Sequence, residues 1–288
     1  MSRLSWTKSI KAGRTLQSVL AYVALAVLMF WILFPFYWMV NSSFKPNHEI
    51  FDFPPTWLPK EFTIEHYKWA LTNNRFIRPL LNSIQVALMT TAVATPLSAL
   101  AAYAMARYPI PRKRALMGVL VATQMIPGVL LVIPLFITFT RLGIINKYSG
   151  LALGYSTFIF PYAVLQMRAF FANFPLELED AAMIDGCTQL GAFLRVTLPL
   201  SIPGVVTVGL FAILIAWNDL LFSLILTSDI NAMTVAVQLY NLSMSQFAST
   251  NWGVIIAEAT IITLPVVILF VFLQKFLIQG LTAGAIKG

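Results

Sequence analysis

The residues best placed to do chemistry form a charged island in an oily chain: Leu178-Glu179-Asp180-Ala181-Ala182-Met183-Ile184-Asp185-Gly186, followed by Val196-Thr197-Leu198-Pro199. No nucleophile and base stand at useful spacing, so the island does not read as a catalytic centre. Acids beside alanines make a stiff polar handle that another protein can grip. Two further acids, Asp219 and Glu258, stand inside apolar runs. A charge at mid-helix in a bilayer costs about 2.5–3.5 kcal/mol on insertion scales, so such groups face protein or water. They would accept hydrogen bonds from a passing solute or join helices together, and the joining role is preferred. Asn82, Gln124 and Asn218 are candidates to line a polar route, or to act as interhelical glue.

Other chemistries are excluded. No Gly-x-x-x-x-Gly-Lys-[Ser/Thr] loop occurs, so this chain cannot by itself cradle the phosphates of ATP. His48 and His66 lack a cysteine or clustered carboxylates at ligand spacing, and no metal site is expected. The single cysteine, Cys187, cannot form an internal disulfide. The net charge of +8 is spread over the ends of apolar segments rather than gathered on one face, which argues against nucleic acid.

The elements that must position these residues are membrane helices. The chain is 59% hydrophobic and 10% charged, and its apolar runs are too wide to be one face of a soluble helix. Crossing the hydrocarbon takes about 20 apolar residues, and six runs qualify: 16–44, 80–106, 115–140, 148–167, 203–227 and 252–274. The first is too long for a secretory signal and no cleavage site follows it, so it is expected to be retained. Placing the N-terminus in the cytoplasm puts most of the 19 Lys and Arg residues inside, among them Arg3, Lys8, Lys11, Arg14 and the Arg107, Arg112, Lys113, Arg114 turn.

On that topology the whole chain, 1–288, is one transmembrane domain with both termini cytoplasmic. Residues 1–15 and 275–288 are cytoplasmic ends, 45–78 and 228–251 are outer loops, and 168–202 is a cytoplasmic loop. The first outer loop, with Trp57, Phe62, Tyr67 and Trp69, should be compact and partly interfacial. The second is polar and long enough to reach a docked protein.

Within the cytoplasmic loop, Pro175 suits a first helical position, Glu177, Glu179 and Asp180 complement the helix dipole, and Gly186 supplies a stop. A helix of about three turns follows, with Leu178, Ala181, Ala182 and Asp185 on one stripe. Thr188 is expected to cap a second short helix that ends before Pro199.

The island resembles the coupling-loop signature of the permease subunits of binding-protein-dependent ABC importers: Glu-Ala-Ala, three residues, Gly, nine residues, Ile, one residue, Leu-Pro. Asp180, Ala181, Ala182, Gly186, Val196, Leu198 and Pro199 stand at those spacings, with Asp for Glu and Val for Ile. Asn41-Ser42-Ser43-Phe44-Lys45-Pro46, Pro55-Thr56-Trp57-Leu58-Pro59, Asn82-Ser83, Ala216-Trp217-Asn218-Asp219 and the ending Gly280 to Gly288 are similar to landmarks of the maltose- and trehalose-type branch.

The resemblance implies an all-α membrane protein with six transmembrane helices, a type I ABC importer permease fold and a cytoplasmic coupling helix. It implies a cell-membrane location and four kinds of partner: a second permease subunit, an ATPase dimer, an extracytoplasmic sugar-binding protein and the bilayer. ATP and Mg would be held by the ATPase subunits and no cofactor by this chain. Glu179, Asp180, Ala181, Ala182, Asp185, Gly186, Val196, Leu198 and Pro199 would couple to the ATPase. The final residues would reach toward it too. In maltose-type members the main sugar site lies in the other permease subunit. A secondary transporter is the rival reading; it accounts for the intramembrane acids but not for the loop spacing, and no inverted repeat supports it.

Overall fold

A computed structural model describes residues 3–283, and the side chains of residues 17–276. Every described regular element is helical. In chain order these are α1 (Arg3–Ser43), α2 (Asn47–Ile50), α3 (Glu65–Thr72), α4 (Asn74–Arg107), α5 (Lys113–Gln124), α6 (Gly128–Arg141) and α7 (Tyr148–Ala172). There follow α8 (Glu177–Ile184), α9 (Gln189–Ala192), a π-helical turn (Phe193–Thr197), α10 (Leu198–Leu200), α11 (Ile202–Asn218), α12 (Leu221–Leu226), α13 (Val235–Ser243), a 3₁₀ turn (Gln246–Ser249) and α14 (Trp252–Ala283). The expected cytoplasmic N-terminal residues 1 and 2 and the landmark residues 284–288 lie outside the described residues.

Among the described residues, three stretches are long and apolar enough to cross a membrane: Gln17–Ser43, Asn74–Arg107 and Trp252–Phe276. Two bent pairs raise the number to five if each is one span: Lys113–Gln124 with Gly128–Arg141, bent by 95°, and Gln189–Leu200 with Ile202–Asn218, bent by 78°. The expected span at 148–167 falls within α7, which is long enough but not among the sufficiently apolar helices. The reason is its surroundings. Gly150, Tyr155, Ser156, Pro161 and Met167 are buried within the protein, so α7 can carry polar residues that a lipid-facing helix could not. The expected span at 203–227 is broken at Asp219-Leu220, between α11 and α12.

The chain forms two compact units. One comprises residues 1–69 and 246–260. Within it, Glu49 is buried and accepts hydrogen bonds from the Thr56 hydroxyl at 2.6 Å and from the backbone N–H groups of Lys60 at 2.9 Å and Glu61 at 3.3 Å. Lys45 donates to the Thr56 carbonyl and lies 4.9 Å from the Trp38 ring centre. A His66 ring nitrogen pairs with the Lys45 carbonyl at 2.9 Å. Gly253 lies against this imidazole so closely that a Cβ there would stand 2.1 Å from His66 Nε2. The 45–78 segment is thus organised by a buried charged cluster as well as by its exposed aromatics Trp57 and Phe62. Along α1, Leu20, Val23, Phe30 and Trp31 are exposed, and only lipid or another protein surface can cover so much apolar area.

The second unit comprises residues 70–245 and 261–288. Its core runs along α7 through Leu151, Tyr155, Ile159, Ala163, Val164, Met167 and Phe171, packed with Ala87, Ala94, Ala99 and Ala102 of α4 and Val208, Ala212 and Ala216 of α11. Helices in lipid gain no hydrophobic drive from meeting one another, so alanines that let backbones approach supply the packing. At Gly204 a Cβ would stand 2.6 Å from Cγ of Phe170, which makes the missing side chain a condition of the α11–α7 contact.

Candidate functional site

The charged island folds as α8 and the turns after it. α8 begins at Glu177, two residues beyond the expected Pro175, and is therefore nearer two turns than three. Gly186 ends it with φ +92°, a left-handed conformation that suits glycine. Thr188 caps α9, its hydroxyl accepting from the Gly191 N–H at 3.1 Å. The helical path does not stop before Pro199, as expected; it continues through the π turn and α10, where Pro199 sits in the first turn and needs no N–H donor. The bend comes at Ser201.

One acid of the island turns inward. Glu179 accepts from Tyr103 Oη at 2.7 Å, Arg107 Nε at 2.8 Å and Thr197 Oγ1 at 2.7 Å. Arg107 also donates to the Phe174 carbonyl at 3.2 Å. The side chains of Arg107 and Glu179 are only 6% and 5% exposed. The Tyr103 ring packs on Phe193 with centroids 4.4 Å apart. Glu179, grouped above with the coupling residues, fastens α8 to the C-terminal end of α4 and to the π turn. Val196 and Leu198 are half-buried, and Leu198 packs on the core.

The outward face of α8 carries Leu178, Asp180, Ala181, Met183 and Ile184, all exposed, with Asp185 and Gly186 exposed beyond it and Ala182 half-buried. Ile184 is 86% exposed. This surface is acidic, small and apolar by turns, and it is held from behind by a buried ion pair.

The candidate route residues separate into different roles. Asn82 is buried: its Nδ2 donates to the carbonyls of Ile230 at 3.0 Å and Met233 at 2.9 Å, and its Oδ1 accepts from Tyr148 Oη at 2.7 Å. The next residue, Ser83, accepts from the Val235 N–H at 2.8 Å. With its hydrogen-bonding groups taken up by the chain, Asn82 clasps the 228–235 loop to α4 and α7 instead of lining a route.

Asp219 Oδ2 accepts from Tyr155 Oη at 2.8 Å and from the N–H groups of Phe222 and Ser223 at 3.0 and 3.2 Å. It caps α12 and ties it to α7, a helix-joining geometry. Asn218 is exposed and bonds the Leu214 carbonyl of its own helix at 2.9 Å. Glu258 is fully buried, with no hydrogen-bond partner for either oxygen among the described residues.

Gln124 opens onto a cavity. It ends α5 at the 95° bend and borders a space of about 430 Å³. Among the described residues no group of three or more His, Cys, Asp or Glu side chains is arranged to hold a metal.

Sequence reasoning missed Tyr103, Arg107, Thr197, Tyr148 and Tyr155 as functional partners. Arg107 carries a signal only as a cation at a helix end, and the tyrosines look like ordinary aromatics in apolar helices.

Comparison with known proteins fits the geometry. Residues 94–283 match the family model described as "Binding-protein-dependent transport system inner membrane component". The chain is 38% identical over 256 residues to the trehalose transport system permease protein SugB of Mycobacterium tuberculosis, covering 89% of this chain and 93% of that one. It is 34% identical over 266 residues to the diacetylchitobiose uptake system permease protein DasC of Streptomyces coelicolor, covering 92% and 96%. Its fold matches a chain in the crystal structure of a bacterial ABC transporter involved in the import of the acidic polysaccharide alginate, with a TM-score of 0.80, 19% identity and coverage of 91% and 97%. The chain belongs to the family of inner membrane components of binding-protein-dependent transport systems.

Proposed function

We propose that this chain is one of two membrane-spanning subunits of an ATP-driven carbohydrate importer, and that α8 is its coupling helix. The observation that carries the reading is the two-sided character of α8. Its outward face offers Asp180, Ala181 and Ile184 to a partner, while Glu179 locks the inward face to α4. A force applied to such a helix is passed to the spanning helices instead of being lost in loop motion. Relatives named for trehalose and diacetylchitobiose transport support a saccharide as the solute.

In this reading the ATPase pair and its Mg-bound nucleotide lie on the cytoplasmic side, with both termini of this chain. An external binding protein delivers the sugar on the other face. ATP closes the ATPases, α8 moves with the cleft that holds it, and the spanning helices shift from inward-open to outward-open. The ligand of the ATPases drives this only by binding one state better than the other.

The test is an importer reconstituted with its companion subunit, ATPases and binding protein. Asp180→Lys or Ala181→Trp on the exposed face should leave the complex membrane-inserted while uncoupling ATP hydrolysis from uptake. Uptake and hydrolysis that stay in the wild-type ratio in both variants would defeat the lever role of α8.

A further inference from the structure

α4 has two unlike sides. Its buried side meets α7 and α11 through small residues, Ala87, Ala94, Ala99 and Ala102. The other side is exposed and bulky, with Leu81, Ile84, Leu88 and Met89. Helices that meet in lipid do so through small residues, so a side of large aliphatic groups is shaped for acyl chains and not for another helix.

Depth along α4 sorts the exposed residues. Its 34 residues at a rise of 1.5 Å make about 51 Å, against a hydrocarbon core of about 30 Å. With the helix centred, about 10 Å at each end, or roughly seven residues, stands in the headgroup layer. Asn74, Arg75 and Arg78 are exposed in that layer, and the exposed side chains turn apolar at Leu81, where the hydrocarbon begins. Gln85 interrupts the apolar side one turn further in. Helical side chains lean toward the N-terminus, which brings its amide to the depth of a lipid's ester carbonyls.

At the headgroup end the surface forms a recess with one sign of charge. Arg75 and Arg78 border it beside Asn74 and Ile230. It continues past Arg78 and Asn231 to Lys147 and Ser149 at the start of α7, and it reaches down α4 to Met89. No Asp or Glu borders it, and none of the three cations belongs to an ion pair among the described residues. The neighbouring Asp229 carboxylate is turned to Asn231, whose backbone N–H and Nδ2 donate to Oδ1 at 3.0 and 3.1 Å. Asn146 Oδ1 accepts from the Ser228 N–H at 2.6 Å, which ties the 228–231 loop to the segment leading into α7.

A phosphodiester answers this charge, because guanidinium groups hold phosphate oxygens with paired N–H donors. A zwitterionic lipid would bring its own cation into a recess that has no acid to receive it. An anionic phospholipid brings none, and its chain can follow the exposed side of α4 to Met89, about 16 Å below Arg78.

We propose that this recess, on the membrane face opposite α8, binds an anionic phospholipid, with Arg75, Arg78 and Lys147 on its phosphate and the exposed side of α4 along an acyl chain. The site is open along the bilayer, from which a lipid enters, and it does not depend on which solute is carried.

The experiment uses the complete importer in nanodiscs, with Cys187→Ser to remove this chain's native thiol and Met89→Cys carrying a bimane fluorophore. Phosphatidylglycerol with brominated acyl chains is compared with equally brominated phosphatidylcholine, each titrated into an unbrominated phosphatidylcholine bilayer. The brominated phosphatidylglycerol should quench at the lower mole fraction, by about fivefold for each cation engaged. Replacing Arg75, Arg78 and Lys147 together with glutamine should bring the two lipids level, while Arg75→Lys with Arg78→Lys should keep most of the preference. Arg78→Gln alone should lower the preference about fivefold, and it carries the test should the triple variant fail to assemble. Equal quenching with the cations in place, a preference that survives their removal, or quenching by neither lipid because companion protein covers the face would each overturn the site. Quenching by phosphatidylglycerol that is relieved on adding the external binding protein would assign the recess to that protein instead.

Discussion

Arg107 Nε donates to Glu179 Oε1 at 2.8 Å across 72 residues of sequence, and both side chains are almost wholly buried. The pair joins the end of a spanning helix to the short helix proposed to meet the ATPase. Removing one partner of a buried ion pair leaves an uncompensated charge and costs about 3–5 kcal/mol. Glu179→Gln should therefore lower the thermal stability of the assembled importer and weaken coupling together. Arg107→Met combined with Glu179→Met removes both charges and should recover much of the stability, since apolar replacement of a buried pair is often neutral. If coupling recovers as fully as stability, the charges themselves are dispensable and packing alone holds α8.

The clasp at Asn82 makes a separate prediction. Asn82→Ala strips the Ile230 and Met233 carbonyls of a donor, at about 1–3 kcal/mol for each group left unsatisfied. The 228–235 loop should loosen while α8 keeps its geometry. Limited proteolysis reads the difference: cleavage within 228–235 should rise and cleavage within 177–199 should not. Asn82→Asp retains the acceptor for Tyr148 but loses the donor, and should resemble the alanine variant.

These two sites show where the sequence is legible. The ends of α8 and α9 follow from local rules, because Gly186 takes a positive φ and the Thr188 hydroxyl reaches a backbone N–H three residues on. The inward turn of Glu179 does not, because its partners Tyr103 and Arg107 are brought to it only by the packing of α4 on α7. Asn82 illustrates the same limit. A polar residue in an apolar run must face protein or water, and composition does not say which; the carbonyls that occupy it lie about 150 residues away in sequence. Apolar run length located most spans but could not distinguish α7, whose neighbours are helices, from a lipid-facing helix. It also could not reveal that the third run bends by 95°, although Pro127-Gly128 marks the place.

Helix packing gives a third prediction. Gly204→Ala would set a methyl group 2.6–2.9 Å from three carbons at the root of the Phe170 ring, a contact the ring cannot escape by moving its far end. Overpacking of this kind costs about 1–3 kcal/mol. Gly118→Ala is the control, since a Cβ there meets nothing within 4 Å and helix propensity favours alanine. On heating in detergent, the Gly204→Ala chain should leave the monodisperse state at a lower temperature than wild type, and the Gly118→Ala chain should not.

The 45–78 segment should respond to acid through Glu49. Burial pushes this carboxyl up, but hydrogen bonds from Thr56, Lys60 and Glu61 and the charge of Lys45 outweigh it and hold the group below its ordinary value of 4.5. A carboxyl lowered on folding binds fewer protons in the folded state than in the unfolded one, so its contribution is complete above that ordinary value and is lost as pH falls through the lower folded one. The amides of Lys60 and Glu61, which donate to Glu49, are the natural reporters. Their hydrogen exchange, corrected for the intrinsic rate, should be slow and level at neutral pH and should quicken as pH drops below about 4.5. In Glu49→Gln the acid-induced change should disappear and exchange should be faster throughout, because the neutral amide accepts more weakly and draws no help from Lys45. Equal pH profiles in the two proteins would mean that the loop is held by its aromatic contacts, such as Phe44 on Phe62 with centroids 4.9 Å apart, and not by the carboxylate at its centre.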